Sequence, residues 1–380
     1  MEIVFWLAIA AIFYVYIGYP CCASLIVIFR GPRIVRKKAW TPRVTILIAA
    51  YNEERDIAKT IENKLALEYP ADCLEIIVIS DGSTDRTDEI VLSYRDKGVR
   101  LLRQERAGKT AALNAAIGEA GGEIIVFSDA NSIYSRDALQ HLVSNLAAED
   151  VGYVTGKMVY TDAAGNPVGD GCSAYMRYEN FLRSIETRLG SIVGVDGGID
   201  AMRKKLYSPL RPDMLPDFVL PLRVIEQGYR VVYEPRAVLK EQSLESSADE
   251  YGMRVRVCLR SWWAIFQMRH LLWGKGGLLF AWQFWSHKVL RYSCFLFFVI
   301  AYVANGLLLA THWLYGILFI LQNLGYLGAW LAYEFEKQGR SVPLLYYIQY
   351  IVLINVASGQ AFFRFLSGRK LTLWTPRKGG

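Results

Sequence analysis

Ile76-Ile77-Val78-Ile79-Ser80-Asp81-Gly82-Ser83-Thr84-Asp85 is the stretch that decides the fold. A short apolar run rich in β-branched residues reads as a buried strand, and Asp81-Gly82 ends it in a carboxylate and a tight turn. The same construction returns at Glu123 to Ser128, followed by Asp129-Ala130-Asn131. In open α/β sheets ligands gather outside the carboxyl ends of the strands. Asp81 and Asp129 therefore mark one sheet edge as the seat of the chemistry, with room for a nucleotide and a divalent metal side by side.

Outward from these two strands the chain alternates. Strand-like runs at 44–50, 74–80, 99–103 and 123–128 are interleaved with helical spacing at 56–67, 84–94, 109–117 and 136–146. This alternation predicts an α/β domain over 42–240, a mostly parallel, Rossmann-like sheet with helices on both faces.

The ends of the chain have a different composition. Of 380 residues 53% are hydrophobic, with 10 Trp, 23 Tyr and 17 Phe, and the excess is terminal. Residues 3–29 carry no charge and are long enough to cross a bilayer, which predicts an N-terminal transmembrane helix at 1–30. A basic linker, 31–41, follows with Arg33, Arg36, Lys37 and Lys38, so the positive-inside rule puts the following domain in the cytoplasm. Apolar composition resumes at 289–366, with spans expected near 290–311, 314–333 and 343–363 and Gly-Arg-Ser at 339–341 between the last two. An odd number of spans there puts the C-terminus outside, whereas the basic tail 367–380, with Arg377 and Lys378, favours inside. Gln349, Asn355 and Gln360 are candidates to pack between helices. Between domain and spans, 241–288 mixes Trp262, Trp263, Trp273, Trp282 and Trp285 with cations, as an in-plane interfacial helix pair would. The net charge of +7 suits an anionic membrane face; no nucleic-acid motif accompanies it.

Several segments carry candidate chemistry. Tyr51-Asn52-Glu53-Glu54 follows the first strand and can meet a nucleobase and ribose; a strand-to-helix turn with acidic helix-start residues is the plainer reading. Asp81 can accept hydrogen bonds from a base or ribose, while Ser83 or Asp85 caps a helix. Gly108-Lys109-Thr110 lacks the first glycine of a P-loop, yet Lys109 at a helix start can contact a diphosphate. Asp129 and Asn131 offer hard oxygen donors for Mg2+ or Mn2+. Gly194 to Arg203 is glycine-rich, as a backbone that approaches a ligand closely would be, or a plain hairpin. Asp217 opens a helical run to Gln227, either as a cap or as a general base. Arg254, Arg256 and Arg260 with Trp262 suit either a diphosphate or lipid headgroups.

In this order, from about 43 to 262, the set resembles the inverting, GT-A-fold family-two glycosyltransferases. The resemblance is to their membrane-embedded branch: hyaluronan, cellulose, poly-N-acetylglucosamine and chitin-oligosaccharide synthases and ceramide glucosyltransferases. It implies that Tyr51, Glu53, Asp81, Lys109, Asp129 and Arg260 bind a nucleotide sugar, most simply a UDP-sugar. It further implies that Asp129 and Asn131 hold the metal, that Gly198, Ala201 and Trp262 border the acceptor, and that Asp217 is the catalytic base. Three positions depart from the family pattern. Asn131 replaces the second Asp of Asp-x-Asp, Pro216 replaces the acid before the base, and Val257-Cys258-Leu259-Arg260-Ser261 keeps only the Arg of Gln-x-x-Arg-Trp. The function so implied is transfer to a lipid-linked or growing glycan acceptor by a multi-pass plasma-membrane enzyme. Its alternatives are a processive synthase that exports its polymer, and a catalytically silent sugar-nucleotide-binding scaffold.

Overall fold

The structure is a computed structural model that describes residues 1–35, 37–161, 171–242, 247–338 and 342–371. Arg36, the 339–341 separator and the tail cations Arg377 and Lys378 lie outside the described residues. The chain divides into two compact units. One comprises Gly31–Pro167, Asn180–Ser243 and Lys370–Gly380; the other comprises Met1–Arg30, Val168–Glu179 and Leu244–Arg369.

The first of these units is built on an eight-stranded sheet. Its strands are β1 (Val44–Ala50), β2 (Leu74–Asp81), β3 (Val99–Gln104), β4 (Ile124–Asp129), β5 (Ile133–Tyr134), β6 (Val151–Thr161), β7 (Ile199–Arg203) and β8 (Arg230–Gln242). The spatial order is β3-β2-β1-β4-β7-β6-β8-β5. Every residue of β1 is buried, as expected of a central parallel strand covered on both faces. The chain runs outward from β1 through β2 to β3, then returns to place β4 on the other flank of β1. That reversal makes the β1/β4 boundary a topological switch point, where the carboxyl ends part into a crevice.

The expected mostly parallel sheet holds for β1 to β4 and is otherwise mixed: β7 runs antiparallel to both β4 and β6, β5 runs antiparallel to β8, and β6 and β8 are parallel. The antiparallel course of β7 has a consequence for the site. Ile199, at the start of β7, pairs with Ser128 at the end of β4, so the glycine-rich loop before it arrives at the crevice edge.

The other unit is helical. Glu2–Arg30 is one long apolar helix with a π segment at Tyr14–Gly18. Glu2–Arg30 and Trp313–Lys337 are each long and apolar enough to cross a membrane. Leu278–Tyr292 and Cys294–Leu308 together form a bent pair, broken by 57°, that would make a third. The span expected at 290–311 is therefore a kinked pair that begins earlier. The helix Pro343–Leu366 packs against Ser247–Gln267, where Val255, Cys258, Leu259, Ala357 and Ala361 form a buried cluster. Gln349 donates to Glu336 (2.8 Å) and Asn355 to the Tyr16 hydroxyl (3.1 Å), as polar residues packed between helices should. Gln360 is exposed instead, which corrects the expectation for that residue.

Candidate active site

The crevice is assembled by loops that lace the strand ends together. Asn52 adopts φ +54, a left-handed conformation that Asn tolerates better than most residues. Its side-chain oxygen accepts from the Thr84 amide (2.8 Å), and its own amide donates to Ser83 Oγ (3.2 Å). Asp85 caps the short helix Thr87–Leu92 by accepting from the Thr87 amide (3.0 Å), and its other oxygen accepts from the Glu54 amide (3.1 Å). The loops after β1 and β2 thus form one unit.

Asp81 is 1% exposed, and its carboxylate is occupied by its own chain. It accepts from Gln104 Nε2 (2.7 Å) and from the amides of Ala107 (2.8 Å) and Gly108 (2.9 Å), which fixes the 104–108 turn. Arg106 lies 3.7 Å from the same carboxylate, with its guanidinium 3.0 Å from the centre of the Tyr51 ring. Tyr51 and Asp81, both expected to meet a nucleoside, are thus bridged by an arginine that sequence reasoning did not single out. Glu53, the third residue expected there, is raised to about 8 by burial and by the nearby Asp56, Asp129 and Asp85 carboxylates.

The turn that Asp81 holds ends at Gly108, which leads into the helix Lys109–Glu119. Lys109 Nζ lies 2.7 Å from Asp129 Oδ1 and 3.6 Å from Asp217 Oδ1. Burial alone would favour loss of its proton, but Asp129, Asp217 and Asp200 override that and hold the ammonium above the ordinary lysine range. The same helix ties down the segment leading to Asp217. Thr110 Oγ1 donates to the Met214 carbonyl (2.9 Å), and the Asn114 amide both donates to and accepts from the Leu210 backbone (2.6 and 3.0 Å).

Asp217 sits in the first turn of the helix Pro216–Glu226. Pro216, which departs from the family pattern, occupies a position whose amide would have no intrahelical partner, so proline is favoured there on backbone grounds. A carboxylate one residue on faces the positive end of the helix dipole. Gly197, at φ +87, packs so closely that a Cβ on it would stand 2.6 Å from Asp217 Cγ. The loop carrying Gly197 is clamped by Arg183, whose guanidinium pairs with both carboxylate oxygens of Asp196 at 2.6 Å and donates to the Gly194 carbonyl (3.2 Å). Gly198 and Ala201, the expected acceptor border, are buried; a Cβ on Gly198 would meet Leu239 at 2.5 Å. Asp200 between them is fully buried, accepts from the Tyr153 hydroxyl (2.9 Å), and is raised to about 7, first by burial.

The Asp129–Asn131 loop is held from below. Thr60 Oγ1 donates to the Ala130 carbonyl (2.6 Å), and the buried Lys64 Nζ, whose burial disfavours the charged form, donates to the Ser132 carbonyl (2.6 Å) while lying over the Tyr134 ring. Thr60 and Lys64 stand four apart on the helix Ile57–Leu65, a spacing that puts them on one face. That pairing of polar residues on an otherwise core-facing stripe is the signal that could have found them. Asp129 is 32% exposed at its side chain, and Asn131 is half-buried. Among the described residues no three His, Cys, Asp or Glu side chains stand close enough to hold a metal. One carboxylate and one amide, both hard oxygen donors, still fit Mg2+ or Mn2+ of the kind whose remaining ligands are phosphate and water.

All of these residues belong to the sheet unit. Arg260 and Trp262 stand on Ser247–Gln267 of the helical unit. Trp262 is 8% exposed, packed among the rings of Tyr292, Phe362 and Phe365.

Residues 45–208 match the family described as glycosyl transferase family 2. Among curated relatives, a beta-monoglucosyldiacylglycerol synthase from Nostoc is 34% identical over 189 residues, 48% of this chain and 40% of that protein. A poly-beta-1,6-N-acetyl-D-glucosamine synthase from Staphylococcus aureus is 28% identical over 220 residues, 56% of this chain and 53% of its own length. The chain spans about half the length of the curated relatives it matches. A solved mannosyltransferase from Pyrobaculum calidifontis, in complex with GDP-Man and Mn2+, has the same fold, with a TM-score of 0.77 over 97% of this chain and 99% of that chain at 22% identity. Residues 45–208 are a glycosyltransferase family 2 domain of the GT-A fold.

Proposed function

We propose that the chain is a membrane-bound inverting glycosyltransferase that moves a sugar from a nucleotide donor, UDP-linked in the simplest case, to a lipid-linked or growing glycan acceptor in cell-surface polysaccharide synthesis. The observation that carries this reading is one ammonium, Lys109 Nζ, within 3.6 Å of carboxylates from two separate elements, Asp129 at the end of β4 and Asp217 at a helix start. The relatives' names support the acceptor class: one makes a glucosyl lipid, another a glycan. The apolar helices Glu2–Arg30 and Trp313–Lys337 support the membrane location, with the sheet unit in the cytoplasm at the plasma membrane.

In this reading Asp217 takes the proton of an acceptor hydroxyl as that oxygen attacks the anomeric carbon, from the face opposite the diphosphate. Lys109 faces the departing diphosphate, where negative charge grows. A divalent cation held by Asp129 and Asn131, when bound, supplies further charge stabilisation to the same phosphates. Tyr51, Glu53 and Asp81 shape the nucleoside side of the crevice, Asp81 by holding the 104–108 turn. Gly198 lies on the acceptor side, and Ala201 stands behind it, buried in the sheet between Val126 and Val154.

The test pairs Asp217→Asn with a panel of sugar nucleotides in purified membranes. The variant is expected to bind the donor as wild type does and to transfer nothing, and chelation of divalent cations is expected to stop wild-type UDP release until Mg2+ or Mn2+ is restored. Unchanged turnover in Asp217→Asn would remove the base assignment. Mass spectrometry of the product separates a single-sugar increment from a long ladder.

A further inference from the structure

Within 31–41, expected as a linker, the described residues 31–35 and 37–41 belong to the sheet unit and are pinned to it. The Arg33 amide donates to the Arg188 carbonyl (2.7 Å), Arg230 donates to the Arg33 carbonyl (3.0 Å), and the Lys38 amide donates to the Ser144 carbonyl (3.4 Å). Farther along, the Tyr69 hydroxyl donates to the Pro42 carbonyl (2.6 Å). A groove of about 520 Å³ opens beside this segment. Its walls include Lys37, Lys38, Trp40, His141 and Arg236, and no carboxylate lines it among the described residues.

Two of the cations are held in place from beneath. Glu234, whose side chain is fully buried, pairs with the Lys37 ammonium, with Arg236 (3.0 Å) and with the Asn145 amide (2.8 Å). Those hydrogen bonds outweigh burial and keep Glu234 charged, its pKa at about 2. Lys38 is exposed and meets no carboxylate among the described residues. Two acids pair with lining side chains, Glu234 and the Asp137 that holds His141 (3.1 Å), against three lining cations, Lys37, Lys38 and Arg236.

We propose that this groove binds a phosphate group, and that the phosphate is the headgroup of an anionic lipid. Fixed guanidinium and ammonium donors around a cavity without acidic walls suit a phosphate. The lipid source follows from the chain itself. Lys38 comes eight residues after Arg30, the end of an apolar helix, and eight extended residues reach about 28 Å at most. Any bilayer that holds that helix presents its headgroups within this reach. Trp40 adds a ring of the kind enriched at headgroup level. None of these residues belongs to the Lys109 site, so the proposal stands or falls apart from the transfer reaction.

The full chain in a neutral detergent is titrated with dihexanoyl phosphatidic acid, dihexanoyl phosphatidylcholine and inorganic phosphate, for wild type, Lys38→Gln and Lys38→Glu. Wild type is expected to bind phosphatidic acid at least about tenfold tighter than phosphatidylcholine. Lys38→Glu should weaken phosphatidic acid about tenfold and Lys38→Gln by less, with the melting temperature unchanged because Lys38 is exposed. Phosphatidic acid binding that Lys38→Glu leaves intact, or that is no tighter than phosphatidylcholine, overturns the site. Inorganic phosphate binding as tightly as phosphatidic acid overturns the lipid source and leaves a free-phosphate site.

Discussion

Gly197→Ala tests the geometry of the proposed base directly. The new methyl would stand 2.6 Å from Asp217 Cγ and 2.7 Å from its Oδ2, whereas ordinary contact begins at 3.4 Å, so the carboxyl must retreat by at least about 0.8 Å. Misplacing a reacting group by about 1 Å lowers turnover by up to ~100-fold, about 2.7 kcal/mol on the barrier. The substitution also places a side chain at φ +87, a conformation that costs a non-glycine residue about 1–2 kcal/mol of stability. Gly228→Ala separates the two effects. Gly228 has φ +86 with nothing within 4 Å, so it carries the strain without the collision. Gly228→Ala should lose about 1–2 kcal/mol in urea titrations, and Gly197→Ala at least as much. Only Gly197→Ala should lose kcat, by ~30- to 100-fold, with donor affinity measured by calorimetry held within about twofold. A Gly197→Ala enzyme with wild-type kcat would refute the view that Asp217 must keep this position to act.

Two further outcomes follow from the same crevice. Asp81→Asn replaces an acceptor of three hydrogen bonds by an amide with one oxygen, which strands one of the two backbone donors, Ala107 or Gly108, at about 1–3 kcal/mol; urea titration should show a loss of about 1–3 kcal/mol, and a loss under about 0.5 kcal/mol would mean that the turn stands without it. Glu53, raised to about 8 from an ordinary value near 4.5, keeps a proton on folding that the unfolded chain releases. Its contribution to stability is fully present below the unfolded value and is lost as pH rises through about 8, so Glu53→Gln should flatten the fall in melting temperature between about pH 5 and about pH 8. Parallel melting profiles for the two proteins would show that Glu53 titrates normally.

Much of this was legible in order along the chain. Strand and helix positions follow from local periodicity, so β1, β2, β4 and the helix Lys109–Glu119 fall close to their expected bounds. The helix expected at 84–94 starts later, at Thr87, whose amide donates to the Asp85 carboxylate, and ends at Leu92. Asp81, Asp129 and Asp217 were visible because each ends a strand or opens a helix, which are local events. The roles of their neighbours were not. Arg106 on Tyr51, Thr60 and Lys64 beneath the Asp129–Asn131 loop, and Arg183 clamping Asp196 are pairings between residues that are not neighbours in the chain, and side-chain type alone does not choose among the available partners.

By itself the sequence determined the alternating α/β order, the apolar ends and the acidic strand termini, because burial period and turn chemistry act over a few residues. Only the tertiary structure decided that Asp81 spends its oxygens on a turn, that Lys109 joins Asp129 to Asp217, and that Arg33 and Lys38 are pinned to the sheet unit beside a groove. The physical reason is that a hydrogen bond or ion pair depends on distance and orientation in space, and those are set by how β4, β7 and the helices pack, not by the residues next to each group in the chain.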